Sequence, residues 1–306
     1  MPWPTETFLI ALEPSLSKKN VVLGHEFTGS VVACGPEAED LFVGDRVVSL
    51  HWAQDLAWPA PNLQNPTSTF LGITCDGGYA EHVTCHESAF VKLPKEVEHW
   101  SAAEASSVIS TYGTFWHGAV TRGGLSKGDS LLITGAAGGC GTAAVQIANA
   151  LGVKTIGVTR SSTKKDYLLG KGCHEVIVTE ESGEKFSKTL SSNVDFVYEA
   201  CGAPTFTESI RSLRPEGKLI LAGNVTNTSA DLPLGLCILN SLSIIGTDSI
   251  AAAAVPDVFR FMQKHDLRPH IAQALPLSEA SATRLQNLVE KSSVCGRVVL
   301  TLPFQS

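Results

Sequence analysis

Apolar and glycine-rich stretches follow one another in a regular order between residues 129 and 166. Leu131–Ile133 is a short apolar run without polar alternation, which is typical of a parallel strand covered on both faces. Residues 142–152, TAAVQIANALG, have helical periodicity and end at a glycine, and residues 153–158 have the pattern of a second buried strand. The pattern predicts a unit of strand, turn, helix and strand of the length that holds a dinucleotide.

The turn of this unit contains three glycines with the spacing G-x-x-G-x-x-G. In a dinucleotide-binding turn one glycine permits the sharp bend, one lets main-chain N–H groups approach the pyrophosphate, and one lets the helix lie close to the sheet. The helix start adds N–H donors and the positive end of its dipole. Unless the turn binds nothing, we expect it to hold phosphate through Gly135, Ala137, Gly138, Gly139, Cys140 and Gly141.

The residues after the second strand bear on which nicotinamide cofactor fits. NAD-binding units usually place Asp or Glu about 20 residues beyond the glycines, where the carboxylate binds the ribose 2′-hydroxyl. Here Thr159, Arg160, Ser161 and Lys164 occupy that stretch, and a guanidinium with hydroxyl donors suits a 2′-phosphate. The sequence therefore predicts NADPH rather than NADH, the alternative being a solvated basic loop.

Further strands are predicted on both sides of this unit. Residues 21–50 and 77–94 alternate apolar runs with glycine turns, which is typical of short antiparallel strands. Residues 194–225 supply two more buried strands around a helix, and residues 241–249 supply another. Because ligands of doubly wound α/β sheets lie beyond the carboxyl ends of the strands, we expect cofactor contacts from Cys201, Gly223, Asn224, Thr247 and Asp248.

Composition narrows the class of protein. A chain of 306 residues with 43% apolar residues and a mean hydropathy of +0.12 is expected to form two domains with real cores. A net charge of −7 gives no basic footprint for nucleic acid or an anionic membrane. Eight cysteines without a C-x-x-C pair favour reduced thiols, and no targeting or spanning segment is evident, so the expected location is the cytoplasm.

Several motifs occur in the order typical of the medium-chain dehydrogenase/reductase superfamily, which the chain resembles from about Val21 to Pro303. They are GHEFTGSVVACG, VGDRV and GGYAEHV, followed by the glycine unit. These motifs are most similar in sequence to those of the acryloyl-CoA reductase and quinone oxidoreductase branches. The resemblance implies a Rossmann domain, residues 105–263, enclosed by a discontinuous GroES-like, mostly antiparallel β catalytic domain, residues 1–104 and 264–306.

The chain departs from the family before its Gly-His-Glu motif. Only 23 residues precede Gly24, and they contain neither the cysteine that is the family's first zinc ligand nor a catalytic tyrosine. Either the chain is naturally shortened or the sequence is an incomplete gene model, and in both cases we expect a catalytic domain that lacks its first strands. An unpaired sheet edge must be covered, which favours a homodimer or a partner enzyme.

The family's catalytic zinc is not expected here. His25 matches the second ligand, but the cysteine that is the third ligand aligns with Ser110, and a serine hydroxyl stays protonated at neutral pH. Residues 51–70 also lack the four cysteines of a structural zinc site, and with Trp52 and Trp58 they favour an apolar lip beside a flat substrate. We predict no metal, with His25 as a hydrogen-bonded core residue.

Without a Lewis acid, the chemistry expected is hydride transfer to a small-molecule acceptor that delocalises charge, an enone, an enoyl thioester or a quinone. By the resemblance, Thr111 and Thr114 approach the phosphate and nicotinamide end, while His51 and Tyr112 are candidates to face the substrate. The alternative for Tyr112 is packing. Two other hypotheses stay open: a zinc-type alcohol dehydrogenase or carbonyl reductase, and a non-redox or partner-dependent protein that retains the fold.

Overall fold

The chain forms two compact units in a computed structural model that describes residues 21–53, 69–179, 185–226 and 228–302. The first unit comprises the described residues up to Ser110, Ser249–Asn287 and those from Val298 onward. The second unit comprises Thr111–Asp248 and Leu288–Arg297. The sequence predicts domain divisions after residues 104 and 263. The two compact units divide between residues 110 and 111 and between residues 248 and 249, and Leu288–Arg297 also belongs to the second unit.

The strands in chain order are β1 (Thr28–Ser30), β2 (Arg46–Ser49), β3 (Trp52–Ala53), β4 (Thr69–Phe70), β5 (Phe90–Lys92), β6 (Ser130–Ile133), β7 (Lys154–Thr159), β8 (Glu175–Val178), β9 (Val194–Glu199), β10 (Leu213–Leu221), β11 (Ser243–Gly246), β12 (Ile271–Pro276) and β13 (Arg297–Thr301). The helices are α1 (Ala102–Ala105), α2 (Gly139–Ala150), α3 (Lys165–Gly170), α4 (Phe186–Thr189), α5 (Ala203–Arg211), α6 (Leu234–Leu239), α7 (Val255–Lys264) and α8 (Glu279–Glu290), with π-helical turns at Ile109–Gly113 and Trp116–Arg122. In the described ranges no helix combines the length and the apolar character that crossing a membrane requires.

A six-stranded parallel sheet forms the centre of the second unit, in the order β11-β10-β9-β6-β7-β8. The order reverses around β6, so the first strand of the predicted unit lies in the middle of a doubly wound sheet. Leu132, Val197 and Leu219 from three adjacent strands are wholly buried in one core. The predicted α/β class with a Rossmann sheet is confirmed.

The first unit contains short antiparallel pairings. Strand β2 lies between β1 and β5, and β3 pairs with β4. Strands β12 and β13 form a separate two-stranded sheet. This small, mostly antiparallel β part is the GroES-like component that the resemblance implies.

The strand pair predicted for residues 77–94 is wrong in part, because Phe90–Lys92 is the one strand within that range. The main-chain N–H groups of Gly77 and Gly78 donate instead to the carbonyls of Val22 and Gly24, both at 2.8 Å. The residues 77–79 are therefore held by hydrogen bonds to the segment before β1 without a regular ladder. The expectations for the N-terminal segment and for the lip around Trp58 concern residues 1–20 and 54–68, which lie outside the described residues.

Candidate functional site

The glycine turn between β6 and α2 has the close contacts that a phosphate-binding turn needs. Gly135 has φ +57°, a conformation that residues with a β-carbon rarely adopt. A β-carbon built at Gly141 would lie 2.5 Å from Ala136 Cα, so the first turn of the helix rests directly on the preceding loop. Helix α2 then presents the N–H groups of its first turn, which a helix cannot satisfy internally.

A segment close to the end of the chain adjoins this turn. Gly296 forms a parallel bridge with Gly138, and its N–H donates to the Ala137 carbonyl at 2.8 Å. The Arg297 side chain passes so close to Gly139 that a β-carbon there would lie 2.5 Å from Arg297 Cδ. Arg297 therefore places a basic side chain against the glycine turn. The sequence analysis missed it because a Gly-Arg pair before an apolar strand has no distinctive spacing.

The two predicted cations at the end of β7 lie together. Arg160 Nη2 donates to Ser292 Oγ at 2.9 Å. Lys164 Nζ donates to the main-chain carbonyl of Ser292 and, at 3.5 Å, to that of Val294. The strand end and the segment 292–297 thus form one cluster, which also contains the predicted residues Thr159 and Ser161.

A buried carboxylate, Glu199, organises the carboxyl ends of the central strands. Its Oε1 accepts hydrogen bonds from the main-chain N–H groups of Cys201 and Gly202, both at 2.9 Å, and from the hydroxyls of Thr134 and Thr205, both at 2.7 Å. Its Oε2 accepts from the Ser209 hydroxyl. Because Thr134 directly precedes Gly135, this one carboxylate joins the end of β6 to the start of α5.

The other predicted contacts are distributed around these strand ends. Cys201 Sγ lies 2.9 Å from where a β-carbon on Gly135 would be, and burial, followed by the charge of Glu199, raises the pKa of its thiol. The Thr247 hydroxyl donates to the Thr114 carbonyl at 3.3 Å. Gly223 N–H donates to the Glu199 carbonyl at 3.2 Å. Cys201 is thus a partly buried thiol with a raised pKa, while Asn224 and the exposed Asp248 follow the ends of β10 and β11.

Two of the predicted site residues, Tyr112 and Thr111, are buried within the second unit. The Tyr112 side chain is 2% exposed, and its hydroxyl donates to Gln146 Oε1 at 2.6 Å. Burial raises the pKa of Tyr112 far above its ordinary value. Thr111 is also fully buried. This placement favours the packing role for Tyr112 over the chemical one.

In the first unit, His51 meets the residue that aligns with the family's third zinc ligand. His51 Nε2 lies 2.7 Å from Ser110 Oγ, and His51 is 5% exposed. The main-chain N–H of Ser110 donates to Glu26 Oε1 at 2.7 Å. The His25 ring contacts the His51 ring edge to face, with 4.9 Å between centroids.

This donor set does not fit a catalytic zinc. Of the family's three ligand positions, His25 supplies an imidazole, but Ser110 supplies a hydroxyl that is already hydrogen-bonded to His51. No cluster of three or more His, Cys, Asp or Glu side chains suited to a metal occurs among the described residues. Cys85 is not a ready thiolate ligand either, since burial and the neighbouring Cys75 raise the pKa of its thiol to about 11.

Two family models match the chain. The alcohol dehydrogenase GroES-like domain matches residues 5–95, and the zinc-binding dehydrogenase model matches residues 139–264.

Named relatives and a solved structure cover most of the chain. The acryloyl-coenzyme A reductase of Sulfurisphaera tokodaii is 34% identical over 85% of this chain and 78% of its own length, and that of Metallosphaera sedula is 32% identical over 93% and 84%. Quinone oxidoreductase-like protein 2 of Bos taurus is 25% identical over 91% and 76%. The crystal structure of an NAD-dependent alcohol dehydrogenase superposes with a TM-score of 0.83 at 27% identity, over 95% of this chain and 85% of that one. With its motifs in family order, its Rossmann sheet and these relatives, the chain belongs to the medium-chain dehydrogenase/reductase superfamily of NAD(P)H-dependent oxidoreductases.

Proposed function

We propose that this protein is an NADPH-dependent reductase of activated C=C bonds, enones or enoyl thioesters, or of quinones, and that it acts without a catalytic zinc. The observation that carries the proposal is the 2.7 Å contact between His51 Nε2 and Ser110 Oγ at the position of a family zinc ligand. The 34% identity to an acryloyl-coenzyme A reductase and the likeness to a quinone oxidoreductase-like protein support the substrate class.

The expected class of hydride acceptor follows from a donor set that does not fit a catalytic zinc. Reduction of a plain ketone develops charge on one oxygen, which a metal ion usually stabilises. Hydride addition to the β-carbon of an enone or enoyl thioester spreads the charge over the conjugated system, and a quinone spreads it over its ring. A hydrogen-bond donor is then sufficient for stabilisation.

The second unit supports NADPH as the cofactor, which when bound supplies the hydride. The glycine turn and the first turn of α2 would hold the pyrophosphate, with Arg297 alongside. Arg160 and Lys164 would hold the 2′-phosphate. A carboxylate at this strand end would favour NADH instead, and residues 159–165 include none.

The reduction also needs a proton, and we assign the delivery of this proton to the His51–Ser110 pair. Hydride addition to the β-carbon leaves an electron pair on the α-carbon or the carbonyl oxygen, and one proton completes the reduction. Ser110 can donate its hydroxyl proton while His51 replaces it, because the two atoms already share a hydrogen bond. Glu26 fixes the Ser110 main chain and thereby the direction of the hydroxyl.

The test uses purified protein with NADPH and a panel of enones, enoyl thioesters and quinones. We expect cofactor oxidation that a strong chelator does not abolish, and no stoichiometric zinc by elemental analysis. Ser110→Ala should lower kcat for enones and enoyl thioesters by about 100-fold, the usual contribution of a positioned proton donor. Ser106→Ala, in the turn between α1 and the π-helical turn that contains Ser110, is the matched control. Activity that disappears with chelated zinc, or NADPH binding without turnover of any acceptor, would overturn the proposal.

We also propose that the protein is a homodimer that associates through the outer edge of the parallel sheet. β11 is the end strand, and the neighbouring α6 exposes Leu234, Ile238 and Leu239 at 64%, 75% and 86%. Large contiguous apolar surface is uncommon on monomers, and an edge strand can pair with its own copy across a two-fold axis.

A further inference from the structure

We propose that Ser292 is a positioning residue for cofactor selectivity, which orients Arg160 and Lys164 toward the 2′-phosphate of NADPH. The inference rests on the NADPH preference of the proposed function. It goes beyond that preference because it adds a residue from the C-terminal segment to a specificity site otherwise built at the end of β7.

Both cations of the strand end converge on this one residue. Arg160 Nη2 donates to Ser292 Oγ at 2.9 Å, and Lys164 Nζ donates to the Ser292 carbonyl. A guanidinium has five N–H donors, so Arg160 can keep this hydrogen bond and still direct a second nitrogen at a phosphate. Ser292 therefore restricts the rotamers of two long side chains without neutralising their positive charge.

The acceptors at this cluster are neutral. Ser292 and Val294 contribute a hydroxyl and main-chain carbonyls. In the described part of the chain, the carboxylates found within 4 Å of a basic group pair with other residues and not with Arg160 or Lys164. Two positive charges held by neutral groups form a site for an anion, whereas a carboxylate partner would neutralise it.

The backbone at Ser292 gives a second, independent observation. Helix α8 ends at Glu290, and Ser292 has φ +49°. Ser292 N–H donates to Val289 O at 2.9 Å and Ser293 N–H to Leu288 O at 3.0 Å, which is the Schellman pattern with Ser292 at the left-handed position. Glycine is the residue that favours this position, so serine there costs conformational energy that glycine would not.

The two observations predict opposite effects for one substitution. In Ser292→Gly the helix cap becomes more favourable, so the melting temperature should stay equal or rise. The hydroxyl that holds Arg160 is lost, so selectivity for the 2′-phosphate should fall. A residue with a purely structural role would not separate stability from selectivity in this way.

The experiment measures dissociation constants of NADPH and NADH, and of the redox-inert pair adenosine 2′,5′-bisphosphate and 5′-AMP, by calorimetry on the full chain. For Ser292→Gly we expect the NADH to NADPH ratio of dissociation constants to fall by about 3- to 10-fold, the effect of losing order in the one long side chain that the hydroxyl holds. Ser292→Asn, which tolerates the left-handed conformation and retains an acceptor, should restore most of the ratio. Ser292→Asp should lower it further, since its carboxylate competes with the phosphate.

Arg160→Ala separates failure of the inference from failure of the proposed function. If Arg160→Ala lowers the ratio while Ser292→Gly and Ser292→Asp leave it unchanged, the role of Ser292 is refuted and the NADPH proposal stands. Equal weakening of phosphorylated and unphosphorylated ligands in Ser292→Gly also refutes it. If Arg160→Ala leaves the ratio unchanged, the NADPH preference itself fails.

Discussion

Replacing Glu199 by alanine removes the acceptor for several buried donors at once. The main-chain N–H groups of Cys201 and Gly202 cannot turn away, and each buried donor left unsatisfied costs about 1–3 kcal/mol. The hydroxyls lose less, because Thr205 Oγ1 also lies 3.3 Å from the Gly202 carbonyl and can use that acceptor. We therefore expect Glu199→Ala to lower the free energy of unfolding of the second unit by about 3–5 kcal/mol, similar to breaking other buried charged networks.

Glu199→Gln is the matched comparison. Its amide oxygen can replace Oε1 for the main-chain donors, and its amino group can face Ser209, whose hydroxyl is able to accept. The cost should be about 1 kcal/mol, the net value of one hydrogen bond. Urea unfolding of the cofactor-free protein measures both variants, with the exposed Glu37→Ala as a control expected to change little.

Amide hydrogen exchange locates the effect. In Glu199→Ala the amides of Cys201 and Gly202 should lose protection before those of β7, which the carboxylate does not contact. If alanine and glutamine cost the same free energy, or if alanine costs less than about 1 kcal/mol, the carboxylate is not the element that holds these strand ends, and the reasoning from its hydrogen bonds is refuted.

Three further predictions concern packing, the cofactor turn and assembly. Tyr112→Phe should lower stability by about 1–2 kcal/mol by leaving Gln146 Oε1 without its donor, with kcat within a factor of about 2 for this packing role; a large loss of kcat at unchanged stability would instead restore the chemical role. Gly141→Ala should weaken NADPH binding by about 10-fold or more in calorimetry, because the new β-carbon meets backbone 2.5 Å away, and unchanged affinity would contradict that contact. Paired glutamates at Ile238 and Leu239 should shift the protein to monomer in sedimentation, whereas a dimer that persists would place the interface elsewhere.

The strand, turn, helix and strand around the three glycines could be predicted because the sequence signals for these elements are local. The run Leu131–Ile133 and the glycine at 152 predict elements that form as β6, α2 and β7 within a few residues. The helix begins at Gly139, three residues before the predicted start, because Gly138 takes the extended N-cap conformation, with φ −75° and ψ 178°. Glycines carry no apolar periodicity, so the pattern could not include them in the helix.

The rest depends on contacts between residues far apart in the sequence. Arg160 is distinctive as a cation after a strand, but nothing nearby indicates that Ser292 holds it. Glu199 is an acidic residue after the run FVY, and such a residue at a strand end indicates a buried polar contact without revealing its donors. The strand pair predicted within residues 77–94 was wrong in part for the same reason, since Gly77 and Gly78 form hydrogen bonds to residues before β1.

The bridge between Gly138 and Gly296 has a consequence for biosynthesis. A nascent chain that has emerged only as far as α8 has its parallel sheet but lacks the segment that lies on the glycine turn. Nucleotide capture should therefore start only once residues 292–297 have been synthesised. A chain truncated before residue 291 should therefore bind nucleotide weakly, and ribosome-stalled chains of increasing length would reveal the point at which affinity appears.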